Sequence, residues 1–263
     1  MSTNQPIGFF DSGVGGLSIW REVNRLLPTE STVYVADSGF APYGQRSAEV
    51  IRERSHRMTR YLLEQGSKLI VVACNTATTN AIADLRKSYS VPFIGIEPAI
   101  KPAALKTETG NVGVLATQGT LTSSLFHQTR DLHAQGIQVI ERVGAGLVEA
   151  IETGDLQATA LQDLLEGHLE ALLKQNIDVL VLGCTHYPFL EPLLRKLLPT
   201  SVQILDSGEA VARQTAAVLQ QHALLKEGKT LGLHQFFSTG KANLMQEFLG
   251  GMNRPEVPQA LRL

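Results

Sequence analysis

Two cysteines, Cys74 and Cys184, are the only thiols in 263 residues. Each closes an apolar, strand-like run and is followed at once by polar side chains. The first run reads Val71-Val72-Ala73-Cys74-Asn75-Thr76, and the second Val181-Leu182-Gly183-Cys184-Thr185-His186. A free cysteine is ordinarily a small buried hydrophobe, but polar neighbours at a strand end, repeated in both halves of the chain, point to chemistry. The pair lies 110 residues apart, unlike the close spacing of a dithiol exchange site or a zinc site. Two separated thiols can instead flank one carbon atom. A thiolate on one face accepts a proton while a thiol on the other donates one. An unperturbed thiol titrates at about 8.5, so modest tuning reaches either form.

Asp11 and His186 fit as helpers. His186 follows Cys184 closely and exchanges a proton near neutral pH, and Asp11 can orient a substrate ammonium. Each also has a bland reading, Asp11 as a turn residue before Ser-Gly and His186 as a satisfied polar group. Gly13-Val14-Gly15-Gly16 would let backbone N–H groups meet an anion at a helix start. It matches neither the dinucleotide nor the P-loop pattern, and tight strand-to-helix packing is the favoured reading. The seven histidines are scattered and no metal ligand set is expected. His127 and His133 read as solvated surface, and Arg52-Glu53-Arg54 as an exposed helix face.

The elements that must position these residues are legible as an alternation. Strands are predicted over residues 7–11, 32–37, 69–74, 92–96, 112–116, 138–142, 178–183, 202–206 and 235–239. Amphipathic helices are predicted between many of them, including 18–27, 47–65, 77–87, 122–135 and 158–174. Such alternation implies α/β architecture with parallel sheets. Continuous apolar runs such as Ile70-Val71-Val72 suit strands covered on both faces. Ligands in such sheets bind beyond the carboxyl ends of the strands. That selects Asp11-Ser12, Asp37-Ser38 with Pro42-Tyr43-Gly44, Cys74-Asn75-Thr76, Thr117 with Thr120 and Thr122, and Cys184-Thr185-His186. Asp-Ser-Gly recurs at 11–13, 37–39 and 206–208, each time at a strand end. The echo of the two cysteine runs favours two similar lobes with the site in the cleft between them. The first lobe comprises residues 1–97 and 208–263, and the second 98–207. Pro98 and Pro102 flank one crossing.

Composition bounds the rest. Twenty-three Lys and Arg against 25 Asp and Glu give a formal charge of −2, so no basic excess drives nucleic-acid binding. There is no basic, apolar leader and no run of the ~18–20 apolar residues a membrane span needs. A cytoplasmic protein with reduced thiols is expected.

With these residues assembled, the sequence closely resembles the glutamate racemases of the cofactor-independent aspartate/glutamate racemase family. The matching stretches are Phe10-Asp11-Ser12-Gly13-Val14-Gly15-Gly16-Leu17-Ser18, Pro42-Tyr43-Gly44-Gln45-Arg46-Ser47, Ala73-Cys74-Asn75-Thr76-Ala77 and Ile94-Gly95-Ile96-Glu97-Pro98. Later come Val114-Leu115-Ala116-Thr117, Gly183-Cys184-Thr185-His186-Tyr187-Pro188, Asp206-Ser207-Gly208 and Thr239-Gly240. The resemblance implies that Cys74 and Cys184 are the two bases, assisted by Asp11 and His186, with Glu152 as the family's mid-chain glutamate. It implies glutamate contacts from Asp11, Ser12, Tyr43, Gly44, Asn75, Thr76, Thr185 and His186. Gly144-Ala145-Gly146 stands where the family commonly has Cys-Pro, and Glu149 lies close enough to compete with Glu152 for that role.

The expected reaction is interconversion of L- and D-glutamate with no cofactor and no metal. Cys184 would serve L-glutamate and Cys74 D-glutamate, with the backbone and hydroxyl at Tyr43-Gly44 on the side-chain carboxylate. By the resemblance, the product supplies peptidoglycan synthesis. The partners expected are the small-molecule substrate and at most a second copy in a homodimer, with no nucleic acid and no membrane. Two other readings stay open: a racemase of aspartate or another amino acid, and a two-lobed binding protein without turnover.

Overall fold

The computed structural model describes residues 2–263. Ten strands form two fully parallel sheets. In chain order they are β1 (Ile7–Asp11), β2 (Thr32–Ala36), β3 (Leu69–Val72), β4 (Phe93–Gly95), β5 (Asn111–Ala116), β6 (Gln138–Val143), β7 (Val179–Gly183), β8 (Gln203–Leu205), β9 (His234–Ser238) and β10 (Gln259–Ala260). The larger sheet runs β10-β9-β2-β1-β3-β4 and the smaller β6-β5-β7-β8. The chain thus leaves the first sheet after β4, builds the second, and returns to the first with β9. Helices connect most of the strands and flank both sheets.

The central strands are buried on both faces, which is why their sequences are continuously apolar rather than alternating. Every residue of β1, β2, β3 and β7 is buried. Burying each of their Val, Ile, Leu and Phe side chains contributes roughly 1.5–3 kcal/mol against leaving it exposed. One apolar cluster runs through both sheets' surroundings, from Phe9, Leu17 and Trp20 to Leu147, Ile151, Leu182 and Tyr187. The lobes are therefore joined by core as well as by chain. Trp20 anchors the C-terminal return, packing edge-on to Phe236 with ring centroids 4.9 Å apart while its Nε1–H donates to Thr32 Oγ1 at 2.9 Å.

The predicted elements are present with shifted ends. The third strand stops at Val72 and the following helix, Asn75–Ser88, begins two residues earlier than expected. Cys74 is therefore that helix's N-cap rather than the last strand residue. β10 is absent from the sequence reading because two residues at a sheet edge carry no periodicity. Arg54 overturns the expected exposed face: it is 3% exposed and paired with Asp37. The histidine expectation also fails in part. His127 and His133 are half-buried, the first tucked beside Phe126, because the short helix Ser124–His133 lies flat on its lobe. Among the described residues, no helix is long and apolar enough to cross a membrane.

Candidate active site

The carboxyl ends of β1, β3 and β7 deliver the two cysteine motifs to one cavity. Ser12, Pro42, Tyr43, Gly44, Cys74, Asn75, Thr76, Thr117, Val148, Cys184, Thr185 and His186 line it. Its volume is about 20 Å³, room for one water. A larger cavity of about 320 Å³ adjoins it and shares Pro42, Gly44, Thr117 and Val148. Gln45 Nε2 donates to Glu149 Oε1 along that outer wall. Thr76 Oγ1 and Thr117 Oγ1 meet at 2.9 Å and tie the two sheets' loops together across the cavity.

Cys74 and Cys184 are 4% and 7% exposed, and their surroundings differ. Cys74 Sγ accepts the Ala77 N–H at 3.4 Å and faces Ser12 Oγ at 3.7 Å. Burial and the neighbouring Asp11 charge push the Cys74 thiol well up, against the two hydrogen bonds. Asp11 Oδ2 accepts from the N–H groups of Gly16 at 2.8 Å and Gly13 at 3.4 Å. Burial raises Asp11 too, although the His186 charge and the Gly16 N–H oppose the rise. Its Oδ1 has no hydrogen-bond partner in the protein.

Cys184 has a cation beside it. Its Sγ lies 3.7 Å from His186 Nδ1, and His186 Nε2 lies 2.7 Å from Glu152 Oε1. Burial disfavours the imidazolium, but the cysteine and the carboxylate together hold His186 well above its usual range. Burial likewise opposes Glu152 ionisation, yet the His186 contact and the Val14 N–H at 2.9 Å leave it below the ordinary value. A carboxylate on one ring nitrogen and the Cys184 sulfur on the other is the orientation a general acid/base histidine requires.

Nine of the eleven residues singled out in the sequence line the inner cavity; Asp11 and Glu152 stand one layer behind it, against Cys74 and His186. Of the two candidate carboxylates it is Glu152 that reaches His186, while Glu149 turns outward to Gln45. The Tyr43 hydroxyl does not face the cavity as expected: it donates to Asp37 Oδ2 at 2.6 Å. The backbone of the short turn Tyr43–Gln45 remains as this wall of the cavity.

Anion binding by the Gly13–Gly16 run is internal, because Val14 N–H binds the protein's own Glu152. Gly144 is also explained, since a Cβ there would lie 2.3 Å from the Tyr187 hydroxyl. The third Asp-Ser-Gly does not reach the cavity. Asp206 caps Gly208 N–H, and Ser207 Oγ donates to Glu97 O, joining the two chain crossings. Pro42, Thr117 and Val148 are the lining residues that the sequence left without a role. Thr117 had a signal, its place after the fifth strand; Val148, an apolar residue in a helix, had none.

The sequence profile described as Asp/Glu/Hydantoin racemase matches residues 7–215. A glutamate racemase of Ectopseudomonas mendocina is 53% identical over 245 residues, 93% of each chain. The crystal structure of the glutamate racemase isoform RacE1 of Bacillus anthracis superposes with a TM-score of 0.88 at 33% identity, covering 99% of this chain and 98% of that one. The Escherichia coli glutamate racemase, solved with L-glutamate and the activator UDP-MurNAc-ala, gives a TM-score of 0.86 at 34% identity over 98% of both chains.

Proposed function

The chain belongs to the Asp/Glu/hydantoin racemase family, and from that premise we propose that it interconverts L- and D-glutamate by a two-thiol mechanism without a cofactor. The observation that carries the reading is the single cavity into which both cysteines project. Asn75 supports it: this residue is 3% exposed and its amide N and O have no partner in the protein. A buried amide left unpaired costs about 1–3 kcal/mol, which a substrate carboxylate and ammonium would offset.

Cys184 is the base for L-glutamate, because the His186 imidazolium offsets the charge of a thiolate at 3.7 Å. Cys74, with Asp11 rather than a cation beside it, is the thiol that donates to the opposite face. The substrate ammonium, brought next to Asp11 Oδ1, supplies the missing positive charge when the roles reverse for D-glutamate. As the α-proton leaves, charge grows on the carboxylate. Asn75, Thr76 and Thr185 are preorganised donors for it. Ser12 and the Tyr43–Gly44 backbone complete the binding set, the latter on the side-chain carboxylate. The lobes are residues 1–97 with 208–263, and 98–207. The chain acts in the cytoplasm, provides D-glutamate for peptidoglycan, and a homodimer is compatible with this site.

The reading is tested by incubating the protein with L-glutamate in deuterated water without added cofactor. Deuterium at Cα together with D-glutamate supports it. Unchanged L-glutamate would favour a binding protein, and faster turnover of L-aspartate would assign the aspartate specificity instead.

A second expected result concerns the Glu152–His186 pair. The raised folded value of His186 stabilises the fold below about 6.5 and is lost as pH climbs through that raised value. The lowered value of Glu152 stabilises above its ordinary 4.5 and is lost as pH falls through the lowered one. Both contributions are therefore complete between these ordinary values, and the imidazolium persists above them. Glu152→Gln keeps the acceptor for Val14 N–H but removes the charge. The alkaline limb of kcat/KM for L-glutamate should move down, because His186 loses the carboxylate that favours its charged form. An unmoved limb would remove Glu152 from the scheme.

A further inference from the structure

We propose that Arg54 is a positioning residue: its buried ion pair with Asp37 holds the Tyr43–Gly44 wall of the cavity where it receives the substrate. The proposal rests on the glutamate reading above. Arg54 sits within the helix Ala48–Glu64, 3% exposed, beside Asp37 and Tyr43 and behind the cavity wall. Its Nε and one terminal nitrogen donate to the two oxygens of Asp37 at 2.8 and 2.7 Å. The Phe40 ring covers the guanidinium, with its centroid 3.8 Å away.

Asp37 is fully buried, and the same two oxygens accept the Tyr43 hydroxyl at 2.6 Å and Thr239 Oγ1 at 2.7 Å. Thr239 Oγ1 in turn accepts the Gly39 N–H at 3.1 Å. The segment from Asp37 to Tyr43 is thereby tied at both ends to one carboxylate, whose orientation the arginine fork sets. Burial and the Asp37 charge push the Tyr43 hydroxyl well up, so it remains a donor to that carboxylate. On its other side Gly44 abuts the second lobe. A Cβ on Gly44 would lie 3.1 Å from Thr117 Cβ, and one on Gly119 would lie 3.5 Å from Gly44 Cα. The wall is therefore clamped between Arg54 and the opposite lobe.

Stability alone does not account for the pair. Removing two charges from water offsets most of their attraction, and apolar replacement of a buried pair is often neutral or stabilising. What a fork-to-carboxylate pair adds is direction, because a planar guanidinium binds both oxygens in one geometry and a lysine ammonium cannot.

Arg54→Lys tests this by keeping the charge and losing the fork. KM for L- and D-glutamate should rise about tenfold with kcat within about twofold of wild type. Neither limb of the pH profile should move, because no group in contact with a thiol changes. Tyr43→Phe cuts the next link, and adding it to Arg54→Lys should cost no more than the larger single effect. Should the lysine variant fold poorly, Asp37→Leu with Arg54→Met, combined with Tyr43→Phe and Thr239→Val, removes both charges together with the hydroxyls that Asp37 holds, and still raises KM. A folded variant of either kind with wild-type KM, or additive effects of the lysine and phenylalanine changes, would overturn the proposal. Absence of glutamate turnover in the wild-type protein would instead overturn the functional reading.

Discussion

Cys184→Ala and Cys74→Ala are each expected to lower kcat/KM for glutamate racemisation by at least 10²–10⁴-fold, the contribution of one positioned acid or base. Both variants should fold: each loses one buried atom, and Cys74→Ala also loses the Sγ cap on the Ala77 N–H at the start of the helix Asn75–Ser88, a cost of about 0.5–2 kcal/mol. The thermal melt of Cys184→Ala should stay near wild type, and that of Cys74→Ala should fall by a few degrees. The two losses should differ in kind. With Cys184 gone, Cys74 still faces the α-proton of D-glutamate, so slow deuterium exchange into D-glutamate survives without racemisation. With Cys74 gone, the surviving exchange is into L-glutamate, where His186 Nδ1 still stands 3.7 Å from the Cys184 sulfur. Racemisation in either variant at the wild-type rate would sink the two-base scheme, and exchange with the opposite enantiomer preference would reverse the assignment of faces.

The second large effect comes from two residues with no reactive group at all. A Cβ added at Gly15 would lie 2.3 Å from His186 Nδ1, the atom that faces Cys184, and 2.7 Å from Thr185 Oγ1. One added at Gly13 would lie 2.0 Å from Glu152 Oε1, the atom that receives His186 Nε2. Nothing can occupy such distances, so the histidine or the carboxylate must move. A displacement of about 1 Å at a reacting group commonly costs on the order of 10²-fold. We expect Gly13→Ala and Gly15→Ala to lose at least about that factor in kcat/KM while remaining folded. Gly167→Ala is the control: its Cβ meets nothing within 4 Å, and it should be neutral or stabilise by about 0.4–1 kcal/mol. Gly15→Ala with the activity of Gly167→Ala would show that the glycine run serves only strand-to-helix packing.

That glycine run illustrates what was hidden in the sequence. Its neighbours in space, His186 and Glu152, are far away along the chain, so neither motif nor periodicity connects them. The same holds for Arg54. A charged residue between Glu53 and Ser55 in an amphipathic helix ordinarily faces water, and only its partner Asp37, on a loop of another element, makes burial affordable. Thr117 was visible as a strand-end hydroxyl, but its bond to Thr76 depends on how the two sheets face each other.

By itself the sequence determined the alternation of strands and helices, the parallel character of the sheets, and the placement of Cys74 and Cys184 close to strand ends. These follow from local patterns, namely apolar runs of strand length and the polar residues that end them. The resemblance of the cysteine motifs carried the family. Tertiary structure alone decided the rest. It chose Glu152 over Glu149 by bringing one to 2.7 Å from His186 and turning the other to Gln45. It withdrew the Tyr43 hydroxyl from the cavity and gave it to Asp37. It also set the two thiols apart, a cation beside one and a carboxylate beside the other. The physical reason is that charge and hydrogen bonding act through space at a few ångströms. Which groups come that close is a property of how the two lobes pack.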